Sequence, residues 1–154
     1  MAHASIVILR VVLAVSLAGS LFVQTFIGTA LWFDLIMIPL GFRIALLAIF
    51  VLWIGCLQVV AVCVWRLLTL VSDGAVFSAK AFRVVDVVIA AILVAAALTA
   101  ALASLLVPGE AAPGVVGLIY GAALVTGGVA LVVVVMKSLL RQATDMRAEL
   151  AEVV

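Results

Sequence analysis

The side chains able to do chemistry are few in this sequence. There is a single histidine, His3, and the two cysteines, Cys56 and Cys63, are seven residues apart. One histidine rules out paired-histidine haem ligation, histidine-rich zinc sites and histidine-based triads within one chain. On a helix the two cysteine Cα atoms would lie about 10 Å apart, too far for a disulfide. We therefore expect no catalytic residue, no metal and no cofactor, and two thiols packed as small apolar groups.

Two glutamines, Gln24 and Gln58, are the polar residues best placed to bind a neutral ligand, since each lies within a long apolar run. A hydrogen bond between helices is the better interpretation of both. Counting 1.5 Å per residue from Arg10 and from Arg66 puts the two amides about 9 Å apart in depth. Separate hydrogen-bond partners are therefore predicted. The apolar runs contain no Asp, Glu, Lys, Arg or His, which argues against proton-coupled transport.

Charges of both signs gather in the segment 66–86. Lys80, Arg83 and Asp86 recur every three residues, so they share one face of a helix. Asp86 is predicted to reach Arg83 on its own helix or Arg66 at the end of the preceding apolar run. With Arg66, these residues form a predicted cytoplasmic charge cluster. They are either solvated charges at headgroup level or a site for a phosphate or a lipid headgroup.

The elements that position these residues follow from composition. Of 154 residues, 70% are hydrophobic and 10% charged, which leaves too little polar surface for a soluble fold. Four apolar runs, residues 11–33, 44–65, 87–107 and 115–136, each exceed the roughly 20 residues that a helix needs to cross a bilayer. None shows the alternation typical of a membrane β-barrel strand. We predict an all-α, integral membrane four-helix bundle with a cytoplasmic C-terminal helical extension, forming one domain, 1–154.

The cations predict the orientation of this bundle. Seven lie on one side of a four-span topology, and only Arg43 lies on the other. By the positive-inside rule, both termini and the loop 66–86 are cytoplasmic. The seven cations are Arg10, Arg66, Lys80, Arg83, Lys137, Arg141 and Arg147.

The tail, residues 137–154, carries an apolar stripe at helical spacings of three and four residues. We call this set the tail stripe: Leu139, Ala143, Met146, Leu150 and Val153. Three positive and three negative charges cancel along the tail, so its attraction to anionic lipid is weak. The stripe is therefore predicted to bind a protein partner. Two alternatives are that it folds against the segment 66–86 or pairs with the same tail in a second subunit.

Small residues predict close helix packing in the second half of the chain. The third apolar run is rich in alanine, and the fourth holds Gly117 and Gly121 in G-x-x-x-G spacing, with Gly128 seven residues later. Such faces pack either inside a bundle or between subunits, so a homo-oligomer is possible.

Two blocks of sequence resemble a known family. The first comprises Cys63, Trp65 to Leu68, Val76 to Ser78, Ala81 to Arg83 and Asp86, and the second comprises Leu139 to Ala143 and Met146 to Val154. They are similar to the YoaS-like bacterial integral-membrane proteins, catalogued as a domain of unknown function, in their actinobacterial form. The resemblance implies a four-helix protein of the bacterial cell membrane, of a family often encoded beside a small helix-turn-helix regulator of the Cro type. It implies no catalytic residue.

Together these features predict a non-enzymatic, regulatory, multi-pass membrane protein that binds a cytoplasmic partner. The helix-turn-helix regulator implied by the resemblance is the candidate partner. The alternative is a subunit of an oligomeric small-molecule transporter or channel that uses Gln24 and Gln58. A net charge of +1 predicts no direct binding of nucleic acid.

Overall fold

A computed structural model describes residues 2–72, 79–108 and 111–152. Four α-helices account for nearly all of these residues: α1 (Ala2–Asp34), α2 (Leu40–Ser72), α3 (Ala79–Leu106) and α4 (Pro113–Glu152). A short 3-10 helix, Leu35–Met37, joins α1 to α2. Each α-helix is long and apolar enough to cross a membrane. The predicted all-α fold with four spans is confirmed.

The helices extend beyond the predicted spans. α2 continues past Arg66 to Ser72, and α3 begins at Ala79, so much of the segment 66–86 is helical. Residues 73–78 lie outside the described part of the chain. The predicted spans ended where charge begins, but Arg and Lys are good helix formers and no Pro or Gly interrupts these turns. At 40 residues, α4 is about 60 Å long, twice the hydrocarbon thickness.

Prolines set where α2 and α4 begin. The Arg43 N–H donates to the Pro39 carbonyl at 3.1 Å, and the Val116 N–H donates to the Ala112 carbonyl at 3.4 Å. Pro113 is the first residue of α4, where a missing N–H costs nothing and a fixed φ favours the helix. The connection between the first two spans is therefore short, a single 3-10 turn.

The helices pack in chain order: α1 on α2, α2 on α3, and α3 on α4. Within the described residues, no Cα atom of α1 lies within 8 Å of one in α3 or α4. None of the described side chains of α1 is buried. Among the long helices, α1 therefore packs on α2 alone. The face that α2 and α3 share next to α1 is left open.

Small side chains join the later helices. Ala103 of α3 and Ala130 of α4 are fully buried, at 0% exposure. The other buried apolar residues are Ile54, Cys63, Ala81, Ile89, Ala91, Ala95 and Ala123. Alanine lets helix backbones approach closely, so the predicted close packing of the Ala-rich third helix occurs inside the chain. By contrast, a Cβ atom added at Gly117, Gly121 or Gly128 would meet nothing within 4 Å, so these glycines make no close contact within one chain.

Candidate functional site

Five cationic residues lie at one end of the bundle, which we call the basic end: Arg10, Arg66, Arg83, Lys137 and Arg141. Arg10 Nη2 donates to Thr69 Oγ1 at 3.2 Å, which joins α1 to α2. Arg66 and Arg83 line one groove between α2 and α3. The clustering matches the charge distribution from which the orientation was predicted. The side chains of Lys80 and Arg147 lie outside the described part of the chain.

Asp86 pairs with Lys137 of α4 rather than with Arg83 or Arg66, so the predicted partner is wrong. The Lys137 side chain is 15% exposed and the Asp86 side chain 56% exposed. Lys137 follows the buried Ala130 by seven residues, which returns it to the same face of the helix. Because α4 continues as a helix beyond its predicted span, as expected for the tail, this face still meets α3 at Asp86. The ion pair therefore extends the α3 and α4 interface beyond its alanines.

The tail leaves the bundle with one face anchored and the other uncovered. The Arg141 guanidinium lies 5.5 Å from the centroid of the Phe82 ring, a cation–π distance. On the opposite face, Leu139 is 58% exposed and Met146 60% exposed. Ala143 between them is also exposed. Over these three residues the tail stripe does not fold against the described part of the segment 66–86. The Leu150 side chain and Val153 lie outside the described part of the chain.

The two intramembrane amides bind each other. Gln58 Nε2 donates to Gln24 Oε1 at 3.0 Å and to Ser20 Oγ at 3.2 Å. Gln24 Nε2 donates to the Val51 carbonyl at 3.3 Å. The prediction that both glutamines bond between helices is confirmed, and the prediction of separate partners is wrong. Together the contacts form a polar clamp between α1 and α2.

The predicted difference in depth between Gln24 and Gln58 was wrong because it assumed that Arg10 and Arg66 lie at the same depth. Arg10 is level with Thr69, three residues further along α2. Counted from this contact, Gln24 lies about 21 Å and Gln58 about 17 Å from the basic end. The two glutamine side chains are long enough to bridge the remaining difference in depth, about 4 Å. Ser20, one turn before Gln24 on the same face, was the sequence signal that could have indicated a shared contact.

A second polar contact between α1 and α2 lies at the end opposite the basic end. The Arg43 guanidinium stacks 3.7 Å from the centroid of the Trp32 ring. Arg43 is 9% exposed, although it was predicted to face water beyond the span. A cation–π contact of this kind stabilises a partly desolvated arginine. It joins α1 to α2 at the end of the bundle opposite the basic end.

A groove between α2 and α3 has a volume of about 1100 Å³. Gly55, Gln58, Val62 and Arg66 line it from α2, and Arg83 and Val87 line it from α3. It extends from the polar clamp to the basic end. The charge cluster was identified from the sequence, whereas the groove was not, because its open face depends on α1 failing to reach α3.

Four apolar helices, an amide clamp between two of them and a cluster of cations at one end define a multi-pass α-helical membrane protein. Its sequence matches a family model over residues 4–154. The chain belongs to this family, described as protein of unknown function (DUF2975). No curated protein and no solved structure matches the chain. An uncharacterised family was expected, whereas the YoaS-like name and the neighbouring regulator gene stay predictions.

Proposed function

We propose that this protein is a non-enzymatic, regulatory protein of the bacterial cell membrane that binds a cytoplasmic protein through its tail stripe. The observation that carries the proposal is the continuation of α4 as one helix to Glu152. From Lys137 the helix extends about 22 Å further. Over this length it presents exposed Leu139 and Met146 on the side away from α3.

The spacing of the stripe favours a helical partner. Leu139, Ala143, Met146, Leu150 and Val153 follow one another at intervals of four, three, four and three residues. This interval is that of the a and d positions of a coiled coil, which bind one helix along a narrow seam. Lys137 lies 200° from Leu139 around the helix, so its anchoring contact to Asp86 leaves the seam free. The helix-turn-helix regulator implied by the resemblance is an all-helical partner of this kind.

Co-purification from the native host tests the proposal. The variant Leu139→Ser, Met146→Ser and Leu150→Ser should lose its cytoplasmic partner, because it removes the apolar seam while keeping the helix anchored by Lys137. The matched control, Ser138→Ala with Asp145→Ser, changes the same stretch about 100° away from the seam and should keep the partner.

Two outcomes oppose the proposal. One is a partner that stays bound to the triple variant. The other is a triple variant that loses its oligomeric state with no partner found, which assigns the stripe to subunit assembly. Both variants are first compared with wild type for membrane insertion and abundance.

Orientation is part of the proposal, since the tail must meet cytoplasmic proteins. A reporter after Val154, or inserted near Gly74, should be cytoplasmic, and one inserted near Ala111 should be external. This orientation is expected from the excess of cations at the basic end. Finding Ala111 and Val154 on the same side would contradict a four-span topology.

The alternative function is a subunit of an oligomeric transporter or channel, favoured by the presence of Gln58 in the wall of the groove. Both Nε2 protons of Gln58 are committed to Ser20 and Gln24, which leaves its carbonyl to meet a ligand. A Gln58→Leu protein that stays folded but loses its cellular phenotype would favour this alternative. Unchanged function would leave the amide a structural contact.

A further inference from the structure

The groove between α2 and α3 has two chemically different parts. At the basic end, Arg66 and Arg83 line it from opposite helices, and both side chains are exposed. Neither arginine forms an ion pair with any carboxylate in the part of the chain that the structure describes. Away from that end, the wall is apolar and includes Gly55, Val62 and Val87. A ligand complementary to this groove is anionic at one end and apolar at the other.

The length of the groove matches one leaflet of a bilayer. Its wall on α2 extends from Gly55 to Leu70, about 22 Å along the helix. Half of a bilayer's hydrocarbon core is about 15 Å, and the headgroup region adds several more. The polar clamp lies near the deep end, since Gln58 lines the groove and is held by Ser20 and Gln24. A molecule in the groove therefore extends from the headgroup level to the mid-plane on one side of the membrane.

A third arginine adds positive charge where the groove opens at the basic end. Arg10 Nη2 donates to Thr69, which itself lines the groove. Arg10 therefore adds a third positive charge beside the groove.

We infer that the groove binds one anionic phospholipid of the leaflet at the basic end. The phosphate lies between Arg66 and Arg83, and an acyl chain covers the valine wall that α1 leaves open. Guanidinium groups suit this role because they bind phosphate oxygens through two parallel N–H donors. A free phosphate ion would leave the apolar wall uncovered, whereas a zwitterionic lipid would bring its own cation against the arginines. This inference does not depend on the tail partner.

Native mass spectrometry of the full-length protein in detergent tests the inference. The probes are dioleoyl phosphatidylglycerol and dioleoyl phosphatidylcholine, which share acyl chains and differ in headgroup charge. Wild type should prefer phosphatidylglycerol. Each arginine near an anionic lipid contributes roughly fivefold to binding, so Arg66→Gln with Arg83→Gln should weaken phosphatidylglycerol binding about 25-fold and leave phosphatidylcholine binding unchanged.

Two further variants separate charge from the apolar wall. Arg141→Gln removes a cation of the basic end that lies against Phe82 instead of the groove, and it should keep the wild-type preference. Gly55→Leu should weaken both lipids, because its side chain would occupy the wall. A Cβ atom at Gly55 meets nothing within 4 Å, so this variant should stay folded.

The inference is overturned if the double variant keeps the wild-type preference or if Arg141→Gln loses it equally. Competition by inorganic phosphate at the same concentration as phosphatidylglycerol would also overturn it, since that result assigns the arginines to a free anion. All variants are compared with wild type by gel filtration and far-UV circular dichroism. If the double variant is misfolded, Arg66→Lys with Arg83→Lys replaces it, and the expected result is a weakened preference with charge retained.

Discussion

Replacing Gln58 with leucine removes the hydrogen bonds that tie α1 to α2 within the membrane. Gln58 Nε2 donates to two acceptors of α1, Gln24 Oε1 and Ser20 Oγ. Because α1 packs on α2 alone, no third helix compensates for their loss. Leucine has a volume similar to that of glutamine, so the substitution tests the polar contacts with little change in packing.

The size of the effect follows from the count of bonds lost. A hydrogen bond between membrane helices contributes on average about 0.6 kcal/mol, so losing two should lower the free energy of unfolding by about 1 kcal/mol. The contact between Gln24 and the Val51 carbonyl is kept, as is that between Arg10 and Thr69. α1 should therefore stay attached while its equilibrium with the detached state shifts about fivefold.

Titration of the purified protein with dodecyl sulfate in mixed micelles, followed by far-UV circular dichroism, measures this free energy. A double-mutant cycle of Gln58→Leu with Gln24→Leu should give a coupling of about 0.6 kcal/mol. Thr25→Val is the matched control, because the Thr25 hydroxyl donates only to the Leu21 and Phe22 carbonyls of its own helix. A coupling near zero, or a loss no larger than that of Thr25→Val, would refute the clamp.

Three further substitutions test other contacts by the same titration. Lys137→Met should cost up to about 1 kcal/mol, with a smaller loss in high salt, because it breaks a partly exposed ion pair to Asp86; an equal loss at all salt concentrations would contradict the pair. Trp32→Leu should cost about 1 kcal/mol and Trp32→Phe less, since phenylalanine keeps a weaker cation–π contact; equal losses would argue against stacking. Ala130→Leu should cost about 1 to 3 kcal/mol by forcing α3 and α4 apart, whereas the exposed Ala122→Leu should be neutral.

The number and type of helices could be predicted from the sequence because lipid permits few solutions. A run such as 44–65, apolar on every side, has to satisfy its backbone within a helix. The one-sided placement of the cations was also visible, since it depends only on order along the chain. The structure brings Arg10, Arg66 and Lys137 to the same end as that order requires.

The contacts between helices could not be predicted in the same way, because they depend on relative depth and on packing order. A shift of three residues between Arg66 and Thr69 changed the partners of Gln24 and Gln58. Likewise, the partner of Asp86 depended on which residue of α4 lies beside it, and order along the chain does not indicate this. Predicting the groove would have required knowing that α1 does not contact α3.

The first turns of α3 support both proposed binding surfaces. Arg83 faces the groove shared with α2, while Phe82 and Asp86 hold the tail through Arg141 and Lys137. Arg83 and Asp86 lie about 60° apart around the helix axis, and Arg83 lines the groove while Asp86 contacts α4. Substitutions at Arg83 leave the tail anchored, and substitutions on the tail stripe leave the groove intact. Lipid selectivity and partner binding should therefore be lost independently, and loss of both in either variant would mean that α3 itself has moved.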